Sequence, residues 1–347
     1  MGKKKKNASK EHDYLNDDLL KVEKNRDLLP IARAIERLYE QFKECDEGEI
    51  ADYIPELAKA NKNNFCISLT TIDGNTHTVG NKNVRFSIQS ISKPFIYGLA
   101  LETHSREEVL KRIGVEPTGD SYDAMLKLDS SNKPYNPMVN AGAIVASDMV
   151  AGKTHSDRLD TINAMFTKYI GREPNMDMSV YTSERNSGNR NKALSYLLLN
   201  FDNIKNKVDD TLDLYFQQCA VRISSADLSV MASTLANHGV NPLTNEQAIH
   251  PQYIRDILSV MLTCGMYDYS GQWAFNIGMP AKSAVSGGIM MVIPGVGGLG
   301  IYSAPLDKYG NSVRGVKVCE ELSRQIGLHI LDASFASLRD RAFGEKS

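Results

Sequence analysis

The strand signals of this chain sit at its two ends, and that separation most constrains its fold. Near the start, "NFCISLTTIDGNTHTVG" places β-rich residues on either side of an Asp73-Gly74 turn, the pattern of a hairpin. Far along the chain, "GGIMMVIPG" and "GLGIYSAP" are short apolar runs punctuated by Gly and Pro. Between them, from about Ser90 to Trp273, the apolar spacing is mainly helical. Strands divided in this way predict one sheet assembled from both ends of the chain, with a helical subdomain inserted between. The junction of two such parts is a usual place for a small-molecule site.

Local signals fill in the elements. Ile31, Ile35, Leu38 and Phe42 recur at helical spacing, with Pro30 suited to a first turn. Leu159, Ile162, Met165, Phe166 and Tyr169 form one helical stripe, with Ser156 as its expected cap. Leu228, Met231 and Leu235 form another, stopped by Gly239. Asn311 or Ser312 is expected to cap a final helix through Val316, Cys319 and Leu322.

The formal net charge of -2 on 347 residues suggests neither nucleic acid nor an anionic membrane as a partner. Cys45, Cys66, Cys219, Cys264 and Cys319 form no C-x-x-C pair and no metal-ligand spacing, so no metal is expected. Their scatter fits reduced thiols in a cytoplasmic protein. Nothing apolar follows the basic start "MGKKKKNASK", so no signal peptide is expected, and no apolar run approaches a membrane span. Gly2 lacks the Ser or Thr that myristoylation requires, since Lys6 stands there.

Five features carry chemistry. In "SIQSISKPF", Ser90 and Lys93 are three apart where a helix begins, so they share a face. A buried lysine can take the serine's proton. Pro94 fits a first helical turn but biases Lys93 away from helical angles. Alone, S-x-x-K reads more readily as a capping serine and a solvated lysine. "KSAVSGG", from Lys282, enters an apolar strand and can present backbone N–H groups, although it is also an ordinary turn. "NPMVNAGAI" sets Asn140 before small residues that permit close helix packing. "SERNSGNRNKA" is expected to be a polar loop followed by a helix, offering Glu184 for an ammonium group and Asn191 for another polar group. Tyr53, Tyr215 and Tyr267 are the tyrosines of interest: Tyr215 lies on an apolar stripe with Val208, Leu212 and Phe216, and Tyr267 follows a helix end at Cys264-Gly265.

Together "DYIPELA", "QSISKP", "NPMVNAGAI", "SERNSGNRN", "CGMYDYSGQ", "PAKSAVSGG" and "PLDKYGNSV" resemble the glutaminase family, in the family's order and over roughly residues 28 to 333. The resemblance implies a serine β-lactamase-like fold of class α/β, in detail α+β. That fold is a mainly antiparallel sheet flanked by helices, with an inserted helical subdomain. It implies a catalytic domain over 28–335; residues 1–27, polar and charge-rich, are unmatched by the family and read as an N-terminal arm, and 336–347 as a tail. Within the domain, the sheet part covers about 28–85 and 275–335 and the helical part about 86–274.

The implied activity is hydrolysis of L-glutamine to L-glutamate and ammonia, with no cofactor, in a homodimer or homotetramer. Carried over by motif, Ser90 is the nucleophile, Lys93 its base, and Tyr267 assists proton transfer. Tyr53 contacts substrate, while Asn140, Glu184, Asn191 and Tyr215 bind its amino-acid end. The N–H groups of Ser90 and Val285 form the oxyanion hole. One departure stands beside that hole: Ala284 occupies a position where the family more often has glycine. Two rival classes are a penicillin-interactive serine hydrolase and a non-catalytic amino-acid-binding protein. The first would normally carry a signal peptide, and the presence of Ser90, Lys93 and Tyr267 together argues against the second.

Overall fold

The computed structural model describes residues 29–52, 54–119 and 128–332. The N-terminal arm, Tyr53 and the tail beyond 335 therefore lie outside the described residues. The main sheet has five strands: β1 (Phe65–Thr71), β2 (Thr76–Gly80), β6 (Ala281–Ser283), β7 (Gly288–Ile293) and β8 (Gly297–Ser303). Their order is β2-β1-β8-β7-β6, and every pair is antiparallel. The N-terminal hairpin thus pairs directly with a strand from the far end of the chain, as the separated strand signals require.

Alternation along the strands gives the sheet two different faces. Phe65, Ile67 and Leu69 of β1, Ile289, Met291 and Ile293 of β7, and Leu299 and Ile301 of β8 point into one apolar cluster. Helices α1 (Pro30–Phe42) and α11 (Val313–Ile326) close that side. Ser312 caps α11 by accepting the Gly315 N–H.

On the opposite face β1 and β8 present the small or polar Ser68, Thr70, Gly298 and Gly300, β7 presents Met290 and Val292, and all are buried. Helix α8 (Ser225–Ala236) lies on it. Ser225 meets Ser68 Oγ at 2.9 Å, and Ser229 meets Thr70 Oγ1 at 2.7 Å. Hydroxyls pairing with hydroxyls avoid the penalty of burying unpaired polar groups. The approach is close enough that a Cβ on Gly300 would lie 2.1 Å from Ser225 O and 2.7 Å from Leu228 Cβ.

The helical layer comprises α2 (Lys93–Arg112), α3 (Asn140–Asp148), α4 (His155–Ile170), α5 (Met178–Ser187), α6 (Asn189–Asn200), α7 (Val208–Cys219) and α9 (Ile254–Cys264), while α10 (Ser270–Asn276) buries Trp273 in the cluster beneath α1 and α11. The stripe from Leu159 to Tyr169 lies on α4, but Thr154 rather than Ser156 caps it, in a capping box with Asp157. "SERNSGNRNKA" also departs from expectation, because Ser183–Ser187 are helical. Asp177 caps α5 through the Ser179 and Val180 N–H groups, and Val180, Tyr181 and Glu184 turn inward. A second sheet, β3 (Phe86–Ser87), β5 (Val221–Ile223) and β4 (Asn175–Met176) in the order β3-β5-β4, is too short to give a periodic signal. It joins the main sheet where Phe86 stacks on Tyr302, ring centroids 4.1 Å apart.

Because α8 meets β8 at a position with room for hydrogen alone, Gly300→Ala should lower unfolding free energy by about 1–3 kcal/mol. Urea denaturation measures this, and an unchanged midpoint would mean that α8 can move off the sheet freely.

Candidate active site

The short strand pair builds the turn that carries Ser90. Ile88 N–H donates to Val221 O on β5 at 2.8 Å, and a tight turn over Gln89–Ser92 follows. Gln89 is buried with φ 48°, a left-handed angle that costs a non-glycine residue about 1–3 kcal/mol. Ser92 Oγ donates to Gln89 O at 2.7 Å and locks the turn. Ser90 remains half-buried while Gln89, Ile91 and Ser92 are buried. Lys93 N–H then donates to Ser90 O and α2 begins. Contrary to the bias expected from Pro94, Lys93 is helical, with φ -59° and ψ -46°. Its position in the core, followed by buried Phe95 and Ile96, outweighs the local preference.

Lys93 is only 2% exposed. Its Nζ donates to Met138 O at 3.1 Å and to Asn140 Oδ1 at 2.7 Å. Burial brings the amine down to about 8, against the upward pull of Cys219 and Glu184. No hydrogen bond joins Lys93 Nζ to Ser90 Oγ among the described residues, although the two share one turn. The acceptors are placed by Asn136, whose side chain accepts from Met138 N–H at 2.9 Å and Val139 N–H at 3.2 Å just before α3 starts. Asn140 in turn donates to Asn191 Oδ1, on the first turn of α6, at 3.1 Å.

Glu184 on α5 is buried nearby. Desolvation pushes its carboxyl up to about 7, opposed by a hydrogen bond from Gln89 and the charge of Lys93. Behind it, Cys219 ends α7, and burial, then the Glu184 charge, pushes its thiol up to about 12. Tyr215, one turn earlier on α7, is buried and hydrogen-bonds to this thiol.

The other wall comes from the edge of the main sheet. At Gly265, where α9 ends, a Cβ would lie 1.8 Å from Ala281 O, so a side chain there would drive the helix end off β6. Tyr267 follows with φ 55° and is half-buried, its hydroxyl donating to Ser283 O at 3.3 Å. Lys282 is fully buried beneath it, with Nζ 4.2 Å from the Tyr267 ring centroid. That Nζ also donates to Gly265 O at 2.9 Å and to Ser283 O at 2.8 Å. Val285 lies in the β6–β7 turn, which is closed by Ala284 N–H to Gly288 O and Gly287 N–H to Ala284 O, each 2.9 Å. It packs with Ile54, Leu57, Leu306 and Tyr267. The Ala284 methyl is fully buried within the core on the helical side.

The Ser90 turn packs against α7, β6 and β7, bringing the two walls to one place. Ser90, Lys93, Asn140, Glu184, Asn191 and Tyr215 gather on the helical side, with Tyr267 and Val285 on the sheet side. Tyr53 lies outside the described residues. Sequence reasoning did not single out Gln89 or Cys219, and it named Lys282 only as the start of a chemistry-bearing strand, without a role. Lys282 alone had left a signal, as the basic residue entering a strand. Chemically, a half-exposed hydroxyl one turn from an amine of depressed basicity is suited to nucleophilic attack. A buried carboxylate beside it favours a cationic group on the substrate.

Known proteins resemble this chain in sequence and in fold. The sequence model of the family described as Glutaminase matches residues 48–331. Over 303 residues the chain is 54% identical to a glutaminase of Nostoc sp., covering 87% of this chain and 91% of that one. It is 48% identical over 305 residues to a glutaminase of Microcystis aeruginosa, covering 88% and 90%. The solved structure of Mglu in its glutamate form superposes with a TM-score of 0.83 at 36% identity, covering 88% of this chain and 70% of Mglu. The antiparallel sheet between helical layers is the serine β-lactamase-like fold. A family match over most of its length, relatives of this similarity and a shared fold lead to one assignment: the chain belongs to the glutaminase family.

Proposed function

We propose that this chain hydrolyses L-glutamine to L-glutamate and ammonia through a glutamyl ester on Ser90. The observation that carries the mechanism is the Lys93 amine, buried and brought down to about 8, on the same turn as a half-exposed serine hydroxyl. Neutral Lys93 takes the Ser90 proton as Oγ attacks the side-chain amide carbon. The N–H of Ser90, at the open end of its turn, and that of Val285 in the β6–β7 turn receive the developing oxyanion. Tyr267 relays the proton to the leaving nitrogen, and ammonia departs. Water then adds to the ester, and glutamate leaves with Ser90 restored. Glu184 holds the substrate's α-ammonium, while Asn140, Asn191, Tyr215 and Tyr53 complete the amino-acid pocket. No metal or organic cofactor enters the scheme.

The reading extends to organisation. We place residues 28–335 in one catalytic domain, with sheet and helical parts divided near 85 and 275. The free thiols, Cys45, Cys66, Cys219, Cys264 and Cys319, fit a reducing cytoplasm. Among the described residues no helix is long and apolar enough to cross a membrane. A homodimer or homotetramer is supported by Tyr196 and Leu199 on α6 and Phe201 just after it, which are 57%, 43% and 37% exposed. A symmetric contact over such a face would remove apolar surface from water.

Ser90→Ala and Lys93→Met should each lower turnover by several powers of ten while the protein stays folded. Ammonia release from glutamine is the assay, with asparagine and a β-lactam alongside. Selective loss of glutamine turnover supports the scheme. A folded variant with near-native rate would remove that residue from its role, and preferential β-lactam turnover would favour the rival hydrolase.

The pH profile has a definite sign. Lys93 is neutral above about 8 and Glu184 ionised above about 7, so protonating either one removes a needed form. The expected kcat/KM therefore rises from pH 6 to 9. A flat profile with chemistry rate-limiting contradicts it.

Glu184→Gln should raise KM for free glutamine and erase the preference over an analogue lacking the α-amine. Equal wild-type turnover of N-blocked and free glutamine would count against this assignment. Deleting residues 1–24, a segment rich in charge, should leave oligomer size and activity unchanged. Light scattering decides this: a truncated monomer would give the arm a structural role, and a full-length monomer would refute the assembly.

A further inference from the structure

Glu184 projects from a short helix that buries few residues. Helix α5 is ten residues long and buries three of them, Val180, Tyr181 and Glu184. A helix of that length is marginal alone, so its packing decides its position. Its start is anchored where Asp177 N–H donates to Ala220 O at 2.8 Å, but Glu184 stands seven residues beyond that anchor. Apolar contact through Val180 is non-directional and does not fix the roll of the helix about its axis. Directional contacts come from Asp213 on α7. Tyr181 Oη donates to Asp213 Oδ1 at 2.5 Å, and Arg185 Nε lies 3.3 Å from the same oxygen. His155 Nε2, from the first turn of α4, lies 3.3 Å from the other oxygen. One carboxylate therefore meets two side chains of α5 and a third from a neighbouring helix. Just past the helix, Gly188 approaches α7 so closely that a Cβ would lie 2.7 Å from Phe216 Cζ.

We propose that Tyr181 and Asp213 are positioning residues for substrate binding: the hydrogen bond between them fixes the roll of α5 and so aims Glu184 at the substrate's α-ammonium. The proposal rests on the assignment of that ammonium to Glu184. Residues three apart share a helix face, so Tyr181 and Glu184 turn inward together and a roll that moves one moves the other. The link is mechanical, because the Glu184 carboxyl itself is governed by burial, Gln89 and Lys93. Burial, then the bond to Asp213 and its charge, pushes the Tyr181 hydroxyl up to about 12, so it stays a donor throughout the working range. Asp213 and Tyr215 occupy one turn of α7, so the brace and a wall of the pocket are carried by the same element.

The test separates binding from turnover. Tyr181→Phe keeps the ring and removes only the hydroxyl. KM for free glutamine should rise roughly three- to tenfold while kcat changes by less than about twofold. The preference for free glutamine over an analogue lacking the α-amine should fall by the same factor as KM rises. A lowered thermal midpoint with that preference intact would make the bond merely structural and overturn the proposal. Should Tyr181→Phe not fold, Asp213 carries the test. Asp213→Ala should lose the preference, and Asp213→Asn, which keeps an acceptor oxygen for the hydroxyl, should restore most of it. If Asn does no better than Ala, the bond is not the cause and the proposal falls. Adding Tyr181→Phe to Glu184→Gln should cost nothing further, because no carboxylate is left to aim; an additive loss overturns the coupling. A preference kept in Glu184→Gln defeats the ammonium assignment itself, whereas one lost there and kept in Tyr181→Phe defeats only the brace.

Discussion

An amine removed from water is the constraint on which the site depends. Lys93 enters the core as the first residue of α2, and a charge there is costly. The surroundings make the neutral form comfortable and usable. Asn136 turns the chain so that Met138 O and Asn140 face the amine, and Asn191 from another helix holds Asn140 in place. The amine's reactivity therefore belongs to several elements at once, and loosening α3 or α6 would alter it as surely as changing Lys93.

The sheet side supplies rigidity by a different route. A five-stranded antiparallel sheet with both faces covered has little freedom to bend, and its edge strand β6 carries Lys282 beside Val285. Gly265 lets α9 end directly against that strand, which sets Tyr267 above Lys282. Helical and sheet walls then meet at the Ser90 turn, itself braced by the strained Gln89. Strain of this kind persists because the surrounding packing over-determines it, and it points the serine outward while its neighbours are buried.

The polar side of the sheet extends the same logic to stability. Ser68 and Thr70 alternate with Ile67 and Leu69, a pattern that by itself suits a strand with one face in water. In the protein that face meets α8, where serines answer the hydroxyls and Gly298 and Gly300 allow close approach. Hydrogen bonding and close shape hold this layer together with the apolar packing of Leu228, Met231 and Leu235 in the same cluster as Met290 and Val292.

The amino-acid sequence alone determined the elements whose causes are local. The Asp73-Gly74 hairpin, the helix through Ile31 and Ile35, a final helix capped at Asn311 or Ser312 and the strands from both ends of the chain all follow from spacing and turn chemistry. The seven short motifs also placed Ser90, Lys93, Asn140, Glu184, Asn191, Tyr215, Tyr267 and Val285 as candidates. Tertiary structure decided what depends on many residues together. It made Ser183–Ser187 helical, because an inward-facing Glu184 needs a packed α5. It kept Lys93 helical before Pro94 and buried the hydroxyl face of β1. It also set Lys282 against Tyr267. Periodicity is written within a few residues, whereas burial, and with it the protonation state of an amine, is set by neighbours far away in the chain.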